Sequence, residues 1–299
     1  MEIARLHPLF AAELIGADLA QPPDSALVSL VEEAMAEHAV LVIRGQAHIG
    51  DDEHIRFSRA FGPLELPSRG GGGGPAKRFR EELFDASNLD ANGDILAPDA
   101  RARQRAKRNE IFHTDSSFHD MPTKWSLLLG HVVTSGGGET EFADCRAAYE
   151  ALPQTMRDRI AGLVAEHNIL ISRSRAGYKG DEPLKDAIAP VRHALVRRSA
   201  SGRPTLYLGA HADHIVGMDI DEGRALLQEL VEFATQPQFV YRHEWSKGDL
   251  VIWDNRCTLH RAAPFAGTLT LKRDLRRTTI NEYGEERAAM AAGRAAASA

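Results

Sequence analysis

Trp125-Ser126-Leu127-Leu128-Leu129-Gly130-His131-Val132-Val133 is a mostly apolar run of β-forming character, and it decides the fold class because it has company. Short segments of the same kind recur at 205–209, 239–245, 250–253 and 276–280, with turn residues between them. A helical insertion at 146–167 and a helix at 221–235 interrupt the series. Many strands with few intervening helices do not build a doubly wound parallel sheet. They predict a mainly β protein, a jelly roll with appended helices.

Upstream, the chain reads as strand, helix, strand, helix. Residues 25–38 place Leu27, Leu30, Val31 and Met35 at helical spacing, and the β-branched run 39–43 follows as a buried strand. Residues 51–61 read as a second helix with Asp51 and Asp52 at its start. From Pro67 to Asn109 the character changes: five glycines at 70–74, then Pro75, little apolar periodicity, and a charged stretch at 101–108. So long a loop within a compact domain is expected to be a mobile lid or plain disorder. It is not a phosphate loop, because no Gly-Lys-Ser/Thr follows the glycines. One domain over 1–299 is expected, with a frayed Ala-rich tail after about 285.

The 299 residues carry 36 Lys plus Arg against 42 Asp plus Glu, a net charge of −6. That balance argues against nucleic-acid binding, which needs a basic footprint. Two cysteines, Cys145 and Cys257, allow neither a disulfide framework nor a Cys-rich metal site. No apolar run approaches the roughly 20 residues of a membrane span, and the N-terminus lacks the layout of a secretory signal. A cytoplasmic homo-oligomer, with no nucleic-acid or membrane partner, is the expectation. Thirteen histidines make metal chemistry worth testing.

His113-Thr114-Asp115 is the most informative tripeptide. If residues 111–118 form a strand, side chains two apart share a face and can converge on one ion. A histidine from another strand would complete a two-histidine, one-carboxylate facial triad, the usual site of non-haem Fe(II) oxygenases. His260 is the best third ligand, at the end of an apolar stretch and ahead of a Pro264-Phe265-Ala266-Gly267 turn. A competing pair, His211-Ala212-Asp213, has the same spacing, so spacing alone barely separates the two. His7, His38, His48, His54, His167 and His193 read as solvated, near helix ends or loops.

The segment 272–280 favours the first pair. Strand alternation there puts Arg273, Leu275 and Arg277 on one face. Two inward guanidiniums are costly unless each meets an anion, and the planar fork suits carboxylates. A small diacid co-substrate and an acidic primary substrate are the sharper reading; an intramolecular ion-pair ladder is the plainer one.

His113-Thr114-Asp115, Gly137-Gly138-Glu139-Thr140, Trp253-Asp254-Asn255-Arg256, His260 and the Arg273/Arg277 strand together resemble the taurine dioxygenase family, and within it the 2,4-dichlorophenoxyacetate dioxygenases. The resemblance runs from about Leu6 to about Ile280. It implies a double-stranded β-helix using Fe(II), 2-oxoglutarate and O2. It further implies iron on His113, Asp115 and His260, and the distal carboxylate of 2-oxoglutarate on Thr140 and Arg273 beside a Trp253 wall. Arg277 would grip a small-molecule carboxylate substrate, with Asn109 and Ser117 as further pocket residues, and the His211 pair falls away as a ligand. The implied reaction hydroxylates an aryloxyalkanoate, which falls apart to a phenol and glyoxylate, with succinate and CO2 as co-products. The alternatives are the same chemistry on a sulfonate, sulfate ester or natural aromatic acid, or a non-enzymatic metal-binding sensor. Phenoxyacetate enzymes of this kind carry lysines before the iron motif. Here the glycine run and the acidic Asp90-Ala91-Asn92-Gly93-Asp94 stand there, leaving Arg69, Lys77 or Arg78 as substitutes.

Overall fold

Strands buried on both faces organise the fold. The computed structural model describes residues 1–66, 78–100, 107–134, 136–175, 177 and 189–282. Its strands are β1 (Glu2–Arg5), β2 (Ala12–Ile15), β3 (Val40–Ile43), β4 (Phe84–Asp85), β5 (Thr123–Val132), β6 (Thr140–Asp144), β7 (Val164–His167), β8 (Val191–Ala194), β9 (Val196–Arg198), β10 (Pro204–Leu206), β11 (Ala212–Ile215), β12 (Val240–His243), β13 (Leu250–Asp254), β14 (Thr258–Ala262) and β15 (Asp274–Asn281).

Seven strands make the major sheet, in the order β1-β2-β3-β13-β5-β15-β4, antiparallel except between β2 and β3. A minor sheet, β12-β6-β14, is antiparallel throughout. Between them lies a core in which Phe142 of the minor sheet meets Val40, Val42, Leu128, Val251, Trp253 and Leu275 of the major one. The alternate residues Leu41, Ile43, Leu127, Leu129, Leu250 and Ile252 face the other way, onto Leu27, Val31 and Met35 of helix α1 (Ser25–His38). Two buried faces explain why these strands read as near-continuous apolar runs. Two sheets packed face to face, with helices on the outside, form the jelly roll. Helix α1 starts where the Asp24 carboxylate accepts from the Leu27 N–H at 2.8 Å. It stops at Ala39, whose φ of 59° turns the chain into β3.

Helix α2 (Asp51–Arg59) packs along β15. A third apolar cluster joins the sheet β11-β7-β8 and hairpin β9-β10 to helices α3 (Cys145–Ala151), α4 (Gln154–Ile160) and α6 (Ile220–Ala234). Helix α5 (Ile169–Arg175) leads out of β7. No helix among the described residues is long and apolar enough to cross a membrane.

The structure departs from the sequence reading in three places. The insertion at 146–167 is not helical throughout. Pro153, which cannot donate to a helix, separates α3 from α4, and after Gly162 (φ +74°) the chain becomes β7, paired on both sides. Residues 111–118 do not form a strand: His113 makes an isolated bridge to His260, and the chain then turns through Ser116 at φ +51°. His38, His54 and His167 are buried rather than solvated, because each faces its own core. Burial pushes His54 and His167 down to about 3. The described part of 67–109 is docked: β4 pairs with Arg276 and Arg277, and the Asn88 amide donates to the carbonyls of Thr268 and Leu271. The glycine run, residues 101–106 and the tail after 285 lie outside the described residues.

Candidate metal centre and active site

The minor sheet and one turn assemble the triad. On β14, His260 sits opposite Phe142 of β6, and its ring lies 4.7 Å from that of Trp253. Its backbone exchanges both hydrogen bonds with His113 (3.0 and 2.8 Å), which seats the two imidazoles side by side, ring centroids 4.2 Å apart. The turn after His113 brings Asp115 back toward them. Asp115 Oδ2 lies 3.6 Å from His260 Nε2, and Oδ1 lies 4.0 Å from His113 Nε2. All three residues are buried, and ligand atoms of the three fall within 4.8 Å of one another.

The donor chemistry suits a ferrous ion. His113 Nδ1 lies 2.8 Å from the Ile111 carbonyl, so it carries the proton and leaves the Nε2 lone pair facing Asp115. Burial lowers the pKa of both histidines, which keeps the imidazoles neutral as ligation requires. Burial alone would raise Asp115, but the Arg277 guanidinium, with the Ser126 hydrogen bond, holds it well below the usual carboxylate range. Two neutral imidazoles and one carboxylate on one side fit Fe(II) with open positions opposite.

Asn255 holds the Asp115 turn in place. Its Oδ1 accepts from the Asp115 N–H at 3.0 Å and from Trp253 Nε1 at 3.1 Å, and its Nδ2 donates to Ser126 Oγ at 3.0 Å. Ser126 Oγ in turn donates to Asp115 Oδ2 at 2.7 Å. Glu65 accepts from Ser116 Oγ at 2.9 Å and anchors the residue with positive φ. The sequence reading assigned none of these three a role. Ser126 alone carried a signal, a hydroxyl inside an apolar strand, where a buried polar group needs a partner. Asn255→Ala is expected to weaken metal affinity roughly 10- to 100-fold, as loss of a supporting residue usually does. Chelator competition measures this, and unchanged affinity would remove Asn255 from the role.

The two arginines both reach inward. Arg277 ion-pairs with Asp115 and lies over the Phe84 ring at 4.8 Å. Arg273 Nη2 donates to the Gly138 carbonyl at 3.0 Å and its own N–H to Asn88 Oδ1 at 2.8 Å. Among the described residues it makes no ion pair, and burial lowers it to about 10 against the weaker pull of the Glu139 charge. Gly138 has φ +77°, and a Cβ there would stand 3.3 Å from Arg273 Nε, so the close approach needs glycine. Two residues on, Thr140 shares the inner face of β6 with Phe142 and is buried.

Other expected residues lie elsewhere. Asn109 is exposed in the 3-10 turn Lys107–Glu110. Ser117 is fully buried, its hydroxyl 3.0 Å from His167 Nδ1 and its carbonyl 2.9 Å from His193 Nε2. Among the described residues neither bonds to the triad. Arg78 is engaged by Asp274 at 3.2 Å and Ser87 at 2.6 Å, so it is not free to replace a family lysine. Arg69 and Lys77 lie outside the described residues. His211 is buried beside the triad, its ring 6.2 Å from that of His113, but it is not in the ligand group.

The family model described as "Taurine catabolism dioxygenase TauD, TfdA family" matches residues 2–279. The chain belongs to the TauD/TfdA family. A relative from Cupriavidus pinatubonensis, an alpha-ketoglutarate-dependent 2,4-dichlorophenoxyacetate dioxygenase, is 45% identical over 276 residues, covering 92% of this chain and 95% of that one. An (S)-phenoxypropionate/alpha-ketoglutarate-dioxygenase of Sphingobium herbicidovorans is 34% identical, covering 88% and 90%. Among solved structures, AAD-2 in complex with Mn(II) and N-oxalylglycine superposes with a TM-score of 0.89 at 40% identity, covering 95% of this chain and 98% of that one. The chain is therefore a TauD/TfdA-family enzyme, an Fe(II)- and 2-oxoglutarate-dependent dioxygenase with a jelly-roll fold.

Proposed function

We propose that this dioxygenase oxidises an aryloxyalkanoate at the carbon beside the ether oxygen. The observation that carries the substrate class is the 45% identity, over nearly the whole chain, to a 2,4-dichlorophenoxyacetate dioxygenase. When bound, iron with 2-oxoglutarate and O2 supplies the oxidising power, with succinate and CO2 as co-products. The protein contributes position. His113, Asp115 and His260 would hold the ion through two imidazole nitrogens and one carboxylate oxygen. Thr140 and Arg273 take the distal carboxylate of 2-oxoglutarate, and Trp253 forms a pocket wall. Arg277 forks onto the carboxylate of the primary substrate and fixes where its methylene sits relative to the triad. Insertion of one oxygen atom into that C–H bond gives a hemiacetal. The bond between the hemiacetal carbon and the ether oxygen then breaks, the hydroxyl proton passes to the departing phenolic oxygen, and a phenol and glyoxylate remain. No acid–base pair is needed, and no Gly-x-Ser-x-Gly elbow is present in the sequence.

A panel of aryloxyacetates, sulfonates, sulfate esters and natural aromatic acids, assayed for succinate and for the oxidised product together, tests this. Phenol and succinate are expected in equal amounts with an aryloxyacetate. Succinate formation coupled only to a sulfonate or sulfate ester would move the substrate class while leaving the iron chemistry intact.

A further inference from the structure

We infer that Trp245 is a positioning residue for the co-substrate and acts through Thr140: its indole N–H fixes the direction in which the Thr140 hydroxyl donates. The inference rests on the reading of Thr140 and Arg273 as the site of the distal carboxylate. Trp245 Nε1 lies 3.1 Å from Thr140 Oγ1. An indole N–H can only donate, so the threonine oxygen accepts. A hydroxyl has one hydrogen and two lone pairs; with one lone pair taken by Trp245, its hydrogen must find an acceptor elsewhere. Among the described residues Thr140 Oγ1 donates to nothing, although the residue is only 4% exposed. A buried donor left without a partner is costly. The same interior holds Arg273, a guanidinium anchored to carbonyl oxygens and, among the described residues, in hydrogen-bond contact with no carboxylate; Glu139 acts on it only through its charge. A hydroxyl hydrogen and a guanidinium fork that both lack an anionic partner describe a carboxylate seat with one neutral and one charged arm.

The indole is held so that it can direct this bond. It stands perpendicular to the His243 ring at 4.7 Å. His243 is itself fully buried, with Nε2 3.1 Å from Asp249 and Nδ1 3.2 Å from the Tyr241 hydroxyl. The indole also lies close to Gly130, where an added Cβ would come within 3.3 Å of Cε3. Trp245 follows β12 and Thr140 belongs to β6, which pairs with it, so the bond ties a strand end to its neighbour at the co-substrate position.

The test compares Trp245→Phe, Thr140→Val and the double variant. Each is loaded with Mn(II), and binding of 2-oxoglutarate and of 2-oxopentanoate, which lacks the distal carboxylate, is followed by calorimetry. Trp245→Phe should weaken 2-oxoglutarate roughly three- to ten-fold, the worth of one neutral hydrogen bond. It should leave 2-oxopentanoate unchanged and add nothing in the Thr140→Val background. With Fe(II), the KM for 2-oxoglutarate should rise while that for the primary acid holds. Should the phenylalanine variant fail to fold, β-(3-benzothienyl)alanine at 245 keeps the bicyclic shape and removes only the N–H. Equal weakening of both 2-oxo acids, or an effect that persists in the Thr140→Val background, would overturn the inference. Thr140→Val binding 2-oxoglutarate normally would instead overturn the carboxylate reading itself, and the inference with it.

Discussion

His260→Ala is expected to leave a folded protein that no longer retains iron. The backbone of His260 keeps its two bonds to His113 and its pairing with β6, none of which involves the imidazole. Its Nδ1 has no partner among the described residues, so the side chain contributes little to the fold by hydrogen bonding. What the substitution removes is the Nε2 that faces Asp115 at 3.6 Å. Two donors then remain where three are needed to fix the ion and the positions opposite it. Turnover of 2-oxoglutarate should fall by more than the roughly 100-fold that follows loss of a supporting residue. Iron content after desalting should fall from near one per chain to near zero. His211→Ala provides the control: it is buried, adjacent and a histidine, yet outside the ligand group, and its variant should keep iron. Full iron retention by the His260 variant would sink the assignment.

The sequence made the triad legible for a reason that is only half right. His113 and Asp115 were paired through the two-residue period of a strand, yet the chain here makes one bridge and then a turn. Asp115 reaches the histidines because Ser116 adopts φ +51° and because Glu65, Asn255 and Ser126 hold that turn. None of those contacts has a spacing rule: Ser126 lies 11 residues from Asp115, Glu65 51 from Ser116 and Asn255 140 from Asp115. The strands 40–43, 125–132 and 250–254 were readable because both of their faces are covered, which keeps nearly every position apolar. By contrast, Val164–His167 alternates between half-buried and buried positions at the end of a helical insertion, and only its pairing with β8 and β11 reveals it as a strand. The buried histidines were misread for a related reason. His54 lies on the inner face of α2 against Thr278 of β15, a contact that exists only once the helix is docked.

The two arginines should separate by ligand. Among the described residues Arg273 hydrogen-bonds through its side chain to carbonyls only, and burial holds its pKa down to about 10 despite the Glu139 charge, so a carboxylate arriving there gains a charge-assisted fork with no ion pair to displace. Arg273→Ala should therefore weaken 2-oxoglutarate by about 2 to 4 kcal/mol, roughly 30- to 1000-fold, with a much smaller change for the primary acid. Arg273→Lys should recover only part of this, because an ammonium cannot reproduce the planar fork. Arg277→Ala should weaken the primary acid by a similar amount and spare 2-oxoglutarate. Arg277 differs in one respect: it already ion-pairs with Asp115, and its charge helps to keep that carboxylate ionised. Its removal therefore acts on the triad as well as on the substrate, and iron content has to be measured beside the two KM values. Lost iron with an unchanged KM for the primary acid at restored metal would assign Arg277 to Asp115 alone. Equal shifts of the same ligand in both variants would abolish the division altogether. A raised KM for the acid at full iron occupancy is the result that places the substrate carboxylate on Arg277, because no ladder of intramolecular ion pairs would produce it.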